Sequence, residues 1–68
     1  MASVARVTEI SAKSSEGFED AIRVGIERAT ATLRNVQSAW VKEQQVSVDG
    51  NAVSSYRVNL LVTFELEG

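Results

Sequence analysis

No cysteine, histidine or proline occurs in the 68 residues of this chain. Without cysteine there is no disulfide and no thiolate chemistry. Lacking both cysteine and histidine, the chain has neither the usual ligands of structural zinc nor an imidazole general base, which leaves oxygen-ligand metals as the only candidate ions. Aromatic residues are scarce, with one Trp, one Tyr and two Phe. Positive charge is also in deficit: seven Lys and Arg stand against nine Asp and Glu, a net charge of -2. The cations are scattered, so no basic stripe follows a phosphate backbone, and neither nucleic acid nor an anionic membrane is an expected partner. The opening MASVARVTEIS has no positive segment followed by a long apolar run, and no apolar stretch approaches membrane-spanning length, so a cytoplasmic location is expected.

What is present must fold with a small core. A domain of this size buries only about 60% of the surface its unfolded chain exposes. Disulfides and zinc being excluded, association with other chains is the remaining means of stabilising it.

Residues 3 to 11, SVARVTEIS, mix β-branched and polar side chains in a strand-like run, and AKSSEG follows as a polar break. Ser14 has the chemistry of a helix N-cap, with Ser15 and Glu16 in the first turn. Phe18, Ala21, Ile22, Gly25, Ile26, Ala29 and Leu33 then recur at intervals of three and four, predicting an amphipathic helix over residues 15 to 34. Glu19 and Arg23 stand four apart on its polar side, a favourable pair. Gly25 inside a helix costs about 1 kcal/mol relative to Ala, which implies a close approach by another element.

Past Asn35 the period changes to two, predicting strands over residues 37 to 48 and 53 to 66 joined by Asp49-Gly50-Asn51 turn chemistry. In the last strand Tyr56, Val58, Leu60, Val62, Phe64 and Leu66 share one face, against which the helix must pack. The order strand, helix, strand, strand predicts an α+β fold, β-α-β-β, with a three-stranded antiparallel sheet in order 1-3-2 wrapped around one helix. The opposite face carries Arg57, Asn59, Leu61 and Thr63, too apolar for a solvated surface and too polar for a core, as in a subunit interface.

Catalytic constellations are missing. There is no nucleophile with a histidine partner and no glycine-rich phosphate loop, while Glu65 and Glu67 are expected to be a charged terminus that keeps an edge soluble. No enzyme is expected.

Length, element order, the helix start SSEGFEDAI, the helix end IERATATLRNV and the closing YRVNLLVTFELEG together resemble the dodecin family over nearly all 68 residues. The resemblance implies a single domain over residues 1–68 that assembles into a hollow homododecamer. It also implies a protein that stores or sequesters a riboflavin-type flavin, limiting its photochemistry without turnover. In dodecins a tryptophan at the start of the second strand sandwiches the flavin, and a glutamine directly after an aromatic on the third strand holds its polar edge. Those positions correspond to Ser38 and Arg57, so neither signature residue is present.

Trp40 lies two residues beyond Ser38, on the same strand face and roughly 6 to 7 Å along it. It is therefore assigned to the interface or ligand face together with Ser38 and Lys42, Ala39 and Val41 being turned to the helix. Arg57 can donate to a flavin carbonyl but cannot accept from the ring N–H, and a salt bridge to Glu43 or Glu65 of a neighbouring subunit is its other role. Glu43, at a position often acidic in the family, reaches a ribityl hydroxyl only if a bulge near Glu43-Gln44-Gln45 turns it away from the helix. Glu65 disfavours a phosphate-bearing flavin such as FMN. Two readings stay open: a flavin-binding shell with Ser38, Trp40, Glu43 and Arg57 around the ligand, or a shell that has lost flavin binding and serves as a structural or cation-binding assembly for Ca²⁺ or Mg²⁺.

Overall fold

The computed structural model describes residues 2–66, so Glu67 lies outside the described residues. Strand β1 spans Ala5–Ser14, helix α1 Phe18–Thr32, strand β2 Val36–Asp49 and strand β3 Ala52–Glu65. Both outer strands pair antiparallel to β3, giving the expected order β1-β3-β2.

The central strand is where the apolar alternation is longest, and its helix-facing side chains Val58, Leu60 and Val62 are fully buried. Helix α1 meets them through Ala21, Gly25 and Ala29, all buried and each four residues from the next. Phe18, Ile22, Ile26 and Leu33 flank this stripe and pack on the same core. Small residues along the contact line bring the helix close to the sheet. A Cβ on Gly25 would lie 2.9 Å from Leu60 Cδ1 and 3.1 Å from Ala12 Cβ, the close approach that a glycine inside this helix implied. Gly25→Val is accordingly expected to destabilise the fold by about 1–3 kcal/mol through overpacking, read as a lower urea midpoint; an unchanged midpoint would show that the helix has room to lift.

Three features differ from the sequence-based expectation. The helix begins at Phe18 rather than near Ser15, with Gly17 as its N-cap and Ala21 N–H donating to Gly17 O at 3.1 Å. Ser14 is still the last residue of β1, opposite Tyr56, so Ser15, Glu16 and Gly17 are used in turning the chain. Its nearly buried hydroxyl instead accepts from Glu16 N–H at 2.9 Å and donates to Asp20 Oδ2 at 2.6 Å. That bond, followed by the one from Arg23, holds the Asp20 carboxyl below its ordinary pKa. The second difference is that Arg23 pairs with Asp20 and Glu27, not with Glu19.

The third difference concerns coverage. Helix α1 lies over β1 and β3 and scarcely touches β2, leaving Val41 and Val46 on β2 exposed on the side where the helix was expected. Ala39 alone of the β2 pair assigned to that side packs on the core.

Two left-handed residues set the turns. Asn35, at φ 61°, reverses the chain after the helix, a conformation that asparagine tolerates better than most residues. Its carbonyl accepts from Glu65 N–H at 3.0 Å, tying the start of β2 to the end of β3. Gly50, at φ 66°, takes the first central position of the two-residue hairpin loop between Asp49 and Ala52, where glycine is favoured. No helix among the described residues is long and apolar enough to cross a membrane.

Candidate functional site

The helix-free face of the sheet is a grid of side chains set by strand register. Val7, Thr63 and Ser38 form one row, and Glu9, Leu61 and Trp40 the next. Below them come Ser11, Asn59 and Glu43, then Lys13, Arg57 and Gln45. The first two rows hold all three apolar side chains of this grid, Val7, Leu61 and Trp40; the other two are polar. Alternation along β3 generates this face, since Arg57, Asn59, Leu61 and Thr63 are offset by one residue from the buried set.

Glu43 reaches the grid because β2 is irregular. Val41 lies opposite Leu60 but Glu43 lies opposite Asn59, so Lys42 is an extra residue on β2. A bulge of this kind reverses the parity beyond it. Lys42 and Glu43 consequently both project on the helix-free side, Lys42 Nζ meeting Glu9 Oε2 at 3.4 Å and Glu43 Oε1 accepting from Asn59 Nδ2 at 2.8 Å. The bulge that the use of Glu43 required is present, one residue ahead of the stretch expected to contain it.

Trp40 is 61% exposed, opposite Leu61, with no helix above it. Leaving so large an apolar ring in water is costly, and burying it recovers on the order of 2–3 kcal/mol. Ser38, exposed in the neighbouring row, offers only a hydroxyl. Between Ser38 and Val7, Thr63 Oγ1 is shielded from solvent and makes no hydrogen bond among the described residues. Arg57 lies on the polar side of the grid, and its Nη1 donates to Ser11 Oγ at 2.8 Å. A shallow depression of about 250 Å³ lined by Glu43, Gln44, Gln45 and Asn59 adjoins it.

Ser38, Trp40, Glu43 and Arg57 thus share one face, but Trp40 and Arg57 are two rows apart. At about 4.8 Å between strands and 3.4 Å per residue, that separation exceeds a hydrogen bond several-fold. Glu9, Ser11 and Gln45 join the same face and were not anticipated; the signal for the β1 pair is the register of β1 against β3, which alternation within β1 leaves open. Among the described residues no group of three Asp or Glu side chains gathers closely enough to hold a metal ion.

The model of the Dodecin family matches residues 4–67. A dodecin from Thermus thermophilus is 37% identical over 67 residues, covering 98% of this chain and 97% of that one. Among solved structures, the dodecin from Streptomyces davaonensis matches with a TM-score of 0.91 at 35% identity, covering 97% of each chain. A calcium-chelating immunodominant antigen from Mycobacterium tuberculosis, a calcium dodecin with a novel calcium-binding site, matches with a TM-score of 0.81 at 30% identity, covering 96% of this chain and 93% of that one.

Proposed function

We propose that this chain, which belongs to the dodecin family, is the subunit of a homododecameric shell that binds a riboflavin-type flavin on the helix-free face of its sheet and performs no turnover. The observation that carries this reading is the exposed Trp40 beside Leu61, bordered by a polar row. A planar ring stacked on Trp40 has an apolar floor in Leu61 and hydrogen-bonding groups at one end. Glu43 is available to a ribityl hydroxyl, Arg57 supplies donors for a carbonyl, and Ser38 leaves space where the family's tryptophan stands. One copy offers a single wall, so the ligand is enclosed only when another copy covers this face. Bound flavin is then shielded from solvent, which limits its photochemistry. Dilute cytoplasmic flavin is the expected source.

The test is titration of riboflavin and FMN into the purified protein, following flavin fluorescence after the mass of the assembly has been fixed by light scattering. Riboflavin is expected to be quenched at low micromolar concentration and FMN to bind more weakly, because Glu65 opposes its phosphate. Trp40→Ala should weaken riboflavin binding about ten- to a hundredfold, the equivalent of one lost stack of about 1–3 kcal/mol. Equal affinity of wild type and variant would remove Trp40 from the site.

A second reading is favoured by two other observations: Ser38 provides no ring, and Arg57 is already engaged by Ser11. On this reading the same shell has lost flavin and is structural or holds Ca²⁺ or Mg²⁺. The cation would need carboxylates contributed by more than one copy. Its outcome in the titration is an intact dodecamer that quenches neither flavin.

A further inference from the structure

Asn59 stands where the two halves of the helix-free face meet. On β3 it is one row from Leu61, roughly 7 Å along the strand, with Arg57 a further row away. A three-ring system laid on Trp40 and Leu61 with its long axis along β3 therefore meets Asn59 before it reaches Arg57.

The Asn59 amide is held in one orientation. It is half-buried, and its Nδ2 donates to Glu43 Oε1 at 2.8 Å. A carboxylate accepts and does not donate, so it selects the nitrogen side of the amide and turns Oδ1 away. Oδ1 accepts no hydrogen bond among the described residues, and Nδ2 keeps a second hydrogen. On the other flank Arg57 Nη1 donates to Ser11, the β1 residue of the same row, and a guanidinium has donors only. Asn59 is the one amide in the first three rows of the grid, and so the one side chain there with an acceptor and a donor on neighbouring atoms. Its complement is a ring edge that carries an N–H beside a carbonyl: the N–H donates to Oδ1 while the carbonyl accepts from Nδ2.

We infer that Asn59, oriented by Glu43, reads the imide edge of the ligand ring and restricts the site to rings whose imide N–H is free. The inference rests on the flavin reading above. It gives the acceptor that Arg57 lacks to another residue of the same strand, and it leaves Glu43 Oε2 for a ribityl hydroxyl. Asn59 is thus the specificity-determining contact and Glu43 a positioning residue.

The test compares riboflavin with 3-methylriboflavin, in which a methyl group replaces the imide hydrogen, by fluorescence quenching, with far-UV circular dichroism of each variant. Wild type is expected to bind the methylated flavin about ten- to a hundredfold more weakly, since methylation removes one bond and leaves Oδ1 unpaired beneath the ring. Asn59→Leu, close in shape, is expected to weaken riboflavin and to bring the two affinities within about twofold of each other. Glu43→Gln keeps Asn59 but lets its amide turn either way, because a glutamine both donates and accepts, and the preference for riboflavin should narrow. A purely structural role for either residue would lower both affinities by the same factor; a preference that survives in both variants therefore overturns the inference. Equal affinity of wild type for the two flavins also overturns it and leaves the flavin site standing, whereas quenching of neither by the folded wild type removes both.

Discussion

Leu60→Ala is expected to lower the free energy of unfolding by about 2–5 kcal/mol. Leu60 is fully buried at the middle of the central strand, between Ile10 on β1 and Val41 on β2. Its Cδ1 lies against the helix at Gly25, so truncation opens a cavity at the point where all three strands and the helix converge. Neighbouring groups cannot collapse into it cheaply, because Gly25 has no side chain to extend and Ala12 only a methyl. A chain of this length is typically stable by roughly 3–10 kcal/mol, so the loss is a large part of the total. Urea denaturation of wild type and variant at equal protein concentration measures it, since assembly makes apparent stability depend on concentration. A change below about 1 kcal/mol would mean that the helix-facing core is not what holds the subunit together.

Ser38→Trp combined with Arg57→Gln is expected to raise riboflavin affinity about tenfold to a hundredfold. Ser38 is exposed on the helix-free face, opposite Thr63 and one row from Trp40, so an indole there needs no core to be displaced. The exchange at Arg57 gives up the bond from Nη1 to Ser11 and substitutes an amide that both donates and accepts, matching a flavin edge that presents a ring N–H beside a carbonyl. Fluorescence quenching by riboflavin, titrated into wild type, each single variant and the pair, resolves the two contributions. If the pair binds no more tightly than wild type, the ligand does not lie against this face at the positions assigned.

Much of this architecture is legible in the sequence because it rests on period. The alternation from Tyr56 to Phe64 separates core from helix-free face in the central strand, and the spacing of Phe18, Ala21, Ile22 and Gly25 gives the buried side of the helix. The placement of Ser38, Trp40 and Arg57 on one side follows from those same periods. Glu43 is less accessible to such reasoning: Lys42-Glu43-Gln44-Gln45 is a polar run without an apolar marker, so nothing in it reveals which residue the ladder skips. Ser14 illustrates another limit. Its chemistry suits a helix cap, but pairing with Tyr56 keeps it in the strand and moves the cap to Gly17. Nor does any pattern reveal that the helix leans toward β1, because Val41 reads as a helix-facing residue whether a helix or another copy covers it.

The strand order has a consequence for synthesis. Strand β3 is the only partner of both β1 and β2, and it follows them in the chain, with Ala5 waiting for Glu65. While the ribosome has delivered only the first fifty residues, no ladder joins β1 to anything, and the apolar side of α1 has just the unpaired β1 to lean on. Closing a contact across sixty residues costs more chain entropy than closing the hairpin, so β2 and β3 should zip first and β1 dock afterwards. Until then two bare strand edges are open to other nascent chains. Crowded polysomes are therefore where this protein is most exposed to aggregation, and where an early encounter between sister chains has the greatest effect on yield.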